Sequence, residues 1–232
     1  MKKVEPHDIY RTHMIDAKLR IVSASKICGS PHATLDLPAF DTEYCFLQIR
    51  RIIESITFAA MVREESRYRR ARKMENANNP RKHGDASKDW NASDILKMLI
   101  GLSPHILPIP IKEPLLQEAG FWQFKRKQMT INHDRLIEMY KRASGFLHAK
   151  NPLVNNFDAF IEKERIKYGD APRLIKKDLD FLRSLVWKHV AVTLEWTDHN
   201  NPQIGDDLKF AWIVDFGVEE DQEVNLTIGE AI

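Results

Sequence analysis

The stretch DTEYCFLQIRRIIESITFAAMVREESRYRRAR, residues 41–72, decides the fold. Cys45, Phe46, Ile49, Ile52, Ile53, Ile56 and Ala60 recur at helical spacing and share one broad face. Tyr44, Leu47, Phe58 and Met61 form a second stripe. A helix apolar on nearly all sides is covered by its neighbours. The expected architecture is therefore mainly α: a bundle of five to six helices around this segment, with a small C-terminal antiparallel β-hairpin. Arg51 and Glu54 lie inside the second stripe, three residues apart. Buried charge is costly unless paired, so they read either as a structural ion pair or as the lining of a polar site. The segment ends in a basic run, Arg63, Arg67, Arg69, Arg70, Arg72 and Lys73, with Tyr68 as its interleaved aromatic. Such a run is usually a solvated helix end; the alternative is that Arg67, Arg69 and Arg70 contact nucleic-acid phosphates.

Outward from this segment, residues 8–27 predict a first helix, closed by a linker containing Gly29, Pro31 and Pro38. A polar loop covers 75–91, and Asn91 or Ser93 caps a short helix over 93–102. Pro104, Pro108, Pro110 and Pro114 forbid a helix next and predict an extended strap packed by Ile106, Leu107, Ile109 and Ile111. Phe121, Trp122 and Phe124 beside Lys125, Arg126 and Lys127 form a second aromatic-basic cluster, able to bind nucleic acid by stacking and charge. A helix is expected over 132–145, stopped by Gly145, then another over 155–168, stopped by Gly169. Asp170 caps a further helix with Pro172 in its first turn. From about His189 the period becomes two. Val190, Val192, Leu194 and Trp196 alternate, as do Leu208, Phe210, Trp212, Val214 and Phe216, and 224–228 can add a third strand. The expected division is an N-terminal helix and linker (1–38), a helical bundle (39–189), and a β-hairpin with acidic tail packed on it (190–232).

Bulk properties narrow the function. A net charge of +2 gives no overall field toward nucleic acid, so contacts must come from local patches. Cys28 and Cys45 lack metal-type spacing, which suggests a reducing, cytoplasmic setting without disulfides. No apolar run reaches the roughly 20 residues a spanning helix needs, so no membrane is expected. There is no GxxxxGK[ST] loop, no GxGxxG, no GxSxG, no HExxH and no paired CxxC, so neither cofactor nor metal is expected.

Arginine and histidine remain. An RNA strand is cut without metal when its own 2′-hydroxyl attacks the adjacent phosphorus. A histidine can move the proton, and an arginine can neutralise the charge building on the phosphoryl oxygens. Three arginines precede a histidine by six or seven positions: Arg126–His133, Arg142–His148 and Arg183–His189. The middle pair lies in YKRASGFLHAKNP, residues 140–152, and runs into Asn151-Pro152, where a histidine can turn into a cleft. On a continuous helix these two side chains leave about 120° apart. Their convergence needs the helix to end near Gly145, or a partner subunit. The alternative makes Arg142 a surface residue and His148 a C-terminal cap.

An arginine followed by four to six residues and a histidine, in a mainly helical domain, resembles the signature of the HEPN superfamily. The resemblance covers about residues 40–190. It implies a metal-independent endoribonuclease acting on RNA, often as a homodimer with paired motifs, in toxin–antitoxin or antiviral-defence settings. Arg142 would stabilise phosphate charge and His148 would act as acid and base. Arg51, Glu54, Tyr140 and Asn151 would support the site. The rival reading is a non-catalytic nucleic-acid-binding or protein-interaction module using the basic patches and the sheet edge.

Overall fold

A computed structural model describes residues 4–78, 85–103, 105–113, 115–116, 122–129, 131, 133–148, 156–195 and 207–230. Among these, six α-helices run in the order α1 (Pro6–Cys28), α2 (Pro38–Arg63), α3 (Glu65–Asn78), α4 (Ala92–Leu102), α5 (His133–Leu147) and α6 (Phe157–Val186). The segment 41–63 is the heart of the core. Cys45, Phe46, Ile49, Ile52, Ile53, Ile56, Ala59 and Ala60 are all buried, against α1, α5 and α6. Phe46 stacks on Phe146 of α5, with ring centroids 3.9 Å apart.

The long helix expected to reach residue 72 breaks at Glu64, whose φ of −104° and ψ of 25° leave the helical range. The Arg63 side chain is 1% exposed and donates to the carbonyls of His105 and Ile106, both at 2.8 Å, so α2 ends where it anchors the proline strap. The strap is extended, as its prolines require, and Ile106, Leu107 and Ile111 are buried. Tyr68 is not part of an exposed patch. It is 2% exposed and donates to Asp89 at 2.6 Å.

The two helices expected on either side of Gly169 are one. α6 runs through Gly169 and Pro172 to Val186. Proline inside a helix costs roughly 3 kcal/mol. Here Tyr168, Ala171, Ile175, Leu179, Leu182 and Val186 keep a single phase across the proline and pack on the core, and that continuous burial outweighs the lost hydrogen bond. Similarly, α5 does not stop at Gly145 but continues to Leu147.

The C-terminal hairpin is larger than expected. β4 (Lys188–Glu195), β5 (Asp207–Asp215) and β6 (Asn225–Glu230) pair antiparallel, and β1 (Ile109–Pro110) of the strap adds a fourth strand beside β4. A two-stranded ribbon joins β2 (Leu115–Leu116) and β3 (Trp122–Gln123). In β5, Trp212 and Val214 face the helices as expected, with Phe216 beyond them. In β4 the inward residues are His189 and Ala191, not Val190, because the register sets His189 opposite Val214 and Ala191 opposite Trp212. Directly opposed residues of an antiparallel pair share a face.

A small sheet needs a partner surface, and α1 supplies it. Tyr10 packs edge-on against Trp212, and Arg11 donates to the Val224 carbonyl at 2.7 Å. Lys18 is fully buried. Its ammonium donates to the carbonyls of Phe216 and Glu223, where the chain passes from β5 toward β6. No helix among the described residues is long and apolar enough to cross a membrane.

Candidate functional site

α5 carries the residues singled out in 140–152, and its neighbours decide what each can do. Tyr140 turns toward α2, where the spacing had flagged Arg51 and Glu54. The three meet. Glu54 accepts from Arg51 Nη1 at 2.9 Å and from Tyr140 Oη at 3.3 Å. Arg50 completes the group. Its Nε donates to Glu54 Oε1 at 3.0 Å, and its guanidinium lies over the Tyr140 ring at 5.1 Å. Sequence reasoning missed Arg50. The signal was present, because Arg50 and Glu54 sit four apart, a spacing that brings a helical pair into contact. Burial and the Glu54 carboxylate push the Tyr140 hydroxyl above its ordinary pKa, against the opposing pull of Arg50, so it remains a protonated donor. Glu54 is 8% exposed, Arg50 22% and Arg51 57%, so the carboxylate is clamped inside while the guanidiniums reach outward. Glu54→Ala would leave Arg50 and the Tyr140 hydroxyl without their acceptor. Discounted for the exposure of Arg51, a loss of about 2–3 kcal/mol is expected from urea unfolding, with Glu54→Gln recovering part of it.

Arg142 leaves α5 on a different side. Its Nη2 bonds Asp178 of α6 at 2.5 Å, while its Nε is buried without a hydrogen-bond partner among the described residues. Asp178 is 2% exposed. Burial raises its pKa, and Arg142 opposes that rise. Asp178 gave no signal in the sequence, since its contact with Arg142 bridges elements 36 residues apart.

His148 is exposed just beyond the end of α5. Because α5 continues through Gly145, the early stop that would fold His148 back toward Arg142 is not made, and no contact joins the two within one chain. Asn151 lies outside the described residues. Of the other two arginine–histidine spacings, Arg183–His189 also separates. His189 is fully buried, with Nδ1 2.7 Å from the Val186 carbonyl and Nε2 2.8 Å from the Tyr10 hydroxyl, which leaves it no free nitrogen. Arg183 lies over the Trp187 ring at 3.6 Å and pairs with Glu219. Arg126 and His133 line a common cavity at the other end of α5.

The basic run on α3 is largely neutralised along its own helix. Arg69 bonds Glu65 at 2.7 Å, Arg67 lies 3.6 Å from Glu64, and Arg70 also has a partner. Lys125 and Arg126 are exposed and Lys127 half-buried. No group of three or more His, Cys, Asp or Glu side chains among the described residues could hold a metal ion. No protein-family model, curated protein or solved structure matches the chain.

Proposed function

We propose that the protein is a metal-independent endoribonuclease of the HEPN type that works as a homodimer. The observation that carries this reading is the geometry of α5. Arg142 and His148 stand three positions either side of Gly145, on a helix too continuous to bring them together. The Cβ position of Gly145 meets nothing within 4 Å. Glycine inside a helix costs about 1 kcal/mol relative to alanine, and although Lys167 of α6 donates to the Gly145 carbonyl at 3.1 Å, no side-chain clash among the described residues requires glycine here. Close approach of a second α5 at this point gives it a reason. In that dimer His148 of one protomer faces Arg142 of the other. His148 takes the proton of a ribose 2′-hydroxyl, the 2′-oxygen bonds to phosphorus, and the bond from phosphorus to the 5′-oxygen breaks as that oxygen takes the proton from His148. The products are a 2′,3′-cyclic phosphate end and a 5′-hydroxyl end. Arg142 neutralises the charge on the non-bridging oxygens, with Asp178 orienting its guanidinium.

The test is cleavage of total RNA and of tRNA in EDTA, by wild type and by His148→Ala. The expected result is chelator-insensitive cleavage by wild type, lost in the variant, with cyclic-phosphate ends on the products. Undiminished cleavage by His148→Ala would sink the reading. The second reading, a non-catalytic binding module, draws on the Arg142–Asp178 bond, which gives Arg142 a purely structural use. RNA binding without cleavage by wild type would favour it.

A further inference from the structure

A cavity of about 290 Å³ lies between the proline strap, the segment after β3 and the start of α5. Four basic side chains line it: His105, Arg126, Lys127 and His133. No Asp or Glu among the described residues does so. This is unusual in a chain with 35 Lys and Arg against 33 Asp and Glu, where α2 and α3 pair nearly every arginine with a carboxylate. None of the four side chains makes a hydrogen bond, ion pair or ring contact among the described residues. The rest of the lining is apolar, including Leu107, Ile109 and Pro110.

The backbone holds this arrangement. Lys127 N–H donates to the Pro110 carbonyl at 2.9 Å and Lys112 N–H to the Lys125 carbonyl at 2.8 Å, so the segment bearing Arg126 and Lys127 is stitched to the strap bearing His105. Ile111 and Arg126 form a further antiparallel bridge. The strap is tied in turn to α2 through Arg63. The Arg126 and Lys127 cations, lining one cavity without a carboxylate among the described residues, repel, and an anion relieves that repulsion.

We infer that this cavity binds a nucleoside phosphate, with Arg126 and Lys127 on the phosphate oxygens, His105 and His133 as further N–H donors, and the apolar wall against the ribose and base. Arginine supplies a planar fork and lysine a point charge, both suited to phosphate. The apolar lining favours a phosphate carrying a ring system over inorganic phosphate. The nucleoside phosphate comes either from an RNA strand or as a free mononucleotide. The site is not the proposed catalytic centre. It opens α5, whereas His148 follows its end, about 22 Å away at the helical rise. It does not depend on the chain being a nuclease.

The experiment titrates the His148→Ala protein, in EDTA and with RNA integrity checked on a gel, with AMP, inorganic phosphate, a short single-stranded RNA labelled for anisotropy, and poly-glutamate. Arg126→Gln/Lys127→Gln and His105→Gln are added on the same background. Both changes are at solvent-accessible side chains, and unchanged thermal unfolding verifies the fold. The expected result is that RNA or AMP binds at least tenfold more tightly than phosphate, with a loss of tenfold or more in the double variant and a smaller loss in His105→Gln. AMP binding as tightly as RNA assigns a mononucleotide; RNA alone assigns a strand. The inference is overturned if neither RNA nor AMP binds, if the double variant binds them as well as its parent, or if poly-glutamate binds in their place. Binding without cleavage by wild type would overturn the nuclease reading alone.

Discussion

Mixing Arg142→Ala protein with His148→Ala protein is expected to restore RNA cleavage that neither has alone. In a two-fold dimer crossing at Gly145, a residue three positions before the glycine opposes the residue three positions after it on the second copy. Each site then takes His148 from one chain and Arg142 from the other. In a heterodimer of the two variants, one site carries both changes and the other carries neither. Random exchange at equal concentrations makes about half the dimers mixed, each with one intact site of two, so about a quarter of the wild-type rate returns. Each variant alone should be slowed by about 100- to 10,000-fold, the usual size of a lost acid–base or charge-stabilising group. Arg142→Ala also strands the buried Asp178 carboxylate. Arg142→Ala/Asp178→Asn removes that liability and should complement equally well. If the mixture stays as inactive as its components, the shared site is wrong. A Gly145→Leu variant gives an independent check: it should stay folded, since the position is open, but run as a monomer in sedimentation and lose activity.

How far the sequence carried these conclusions depends on the length scale of each contact. The heart of the fold was legible, because the periodicity of 45–60 is a property of one helix and its burial follows from it. The proline strap was legible too, since proline dictates its own backbone. The break at Glu64 was not. It is set by Arg63 reaching carbonyls 42 and 43 residues away. The merger of two helices into α6 was hidden because Gly169 and Pro172 carry strong local stop signals, and only the packed stripe overrides them. On β4 the alternation was visible, but it did not show that His189 and Ala191 would be the fully buried face, with Val192 of the other face buried as well. Valine is the usual inward residue, and His189 can take the place because Tyr10, on the first helix, and the Val186 carbonyl satisfy its ring. In the candidate site, Arg51 and Glu54 were drawn together by reasoning about buried charge, and they do meet, with Tyr140 of the 140–152 stretch beside them, although Arg51 is exposed rather than buried. Arg50 was overlooked as the outer member of its pair. Asp178 and the cavity lined by His105 and His133 depend on contacts across the fold that no local pattern encodes.

His189 should make the protein unfold readily in acid. Its ring is fully buried between two fixed partners. The Val186 carbonyl has no hydrogen to give, so Nδ1 carries the proton and donates to it. Nε2 must then accept from the Tyr10 hydroxyl, and burial keeps that hydroxyl protonated by raising its pKa. The neutral imidazole is fully satisfied, whereas a second proton would turn Tyr10 Oη from donor to acceptor and place a charge in the core. Burial therefore pushes the His189 pKa down from 6.5 to about 4, the Val186 bond pulling it back and the nearby Arg63 charge adding to the fall. A depressed pKa means that the unfolded chain binds this proton more tightly than the folded one. The stabilising contribution is complete above pH 6.5 and is lost as pH falls toward about 4. At about 1.4 kcal/mol per pH unit, the loss across that window is about 3 kcal/mol, a large share of a typical domain's stability. Urea unfolding of wild type and His189→Gln at pH 7.0 and pH 4.5 isolates it, because carboxylates elsewhere titrate alike in both proteins. The variant should be the less stable at pH 7.0 and nearly equal to wild type at pH 4.5. A stability difference that stays constant between the two pH values would show that His189 holds α1 to the sheet by packing and hydrogen bonding alone, with no proton linked to folding.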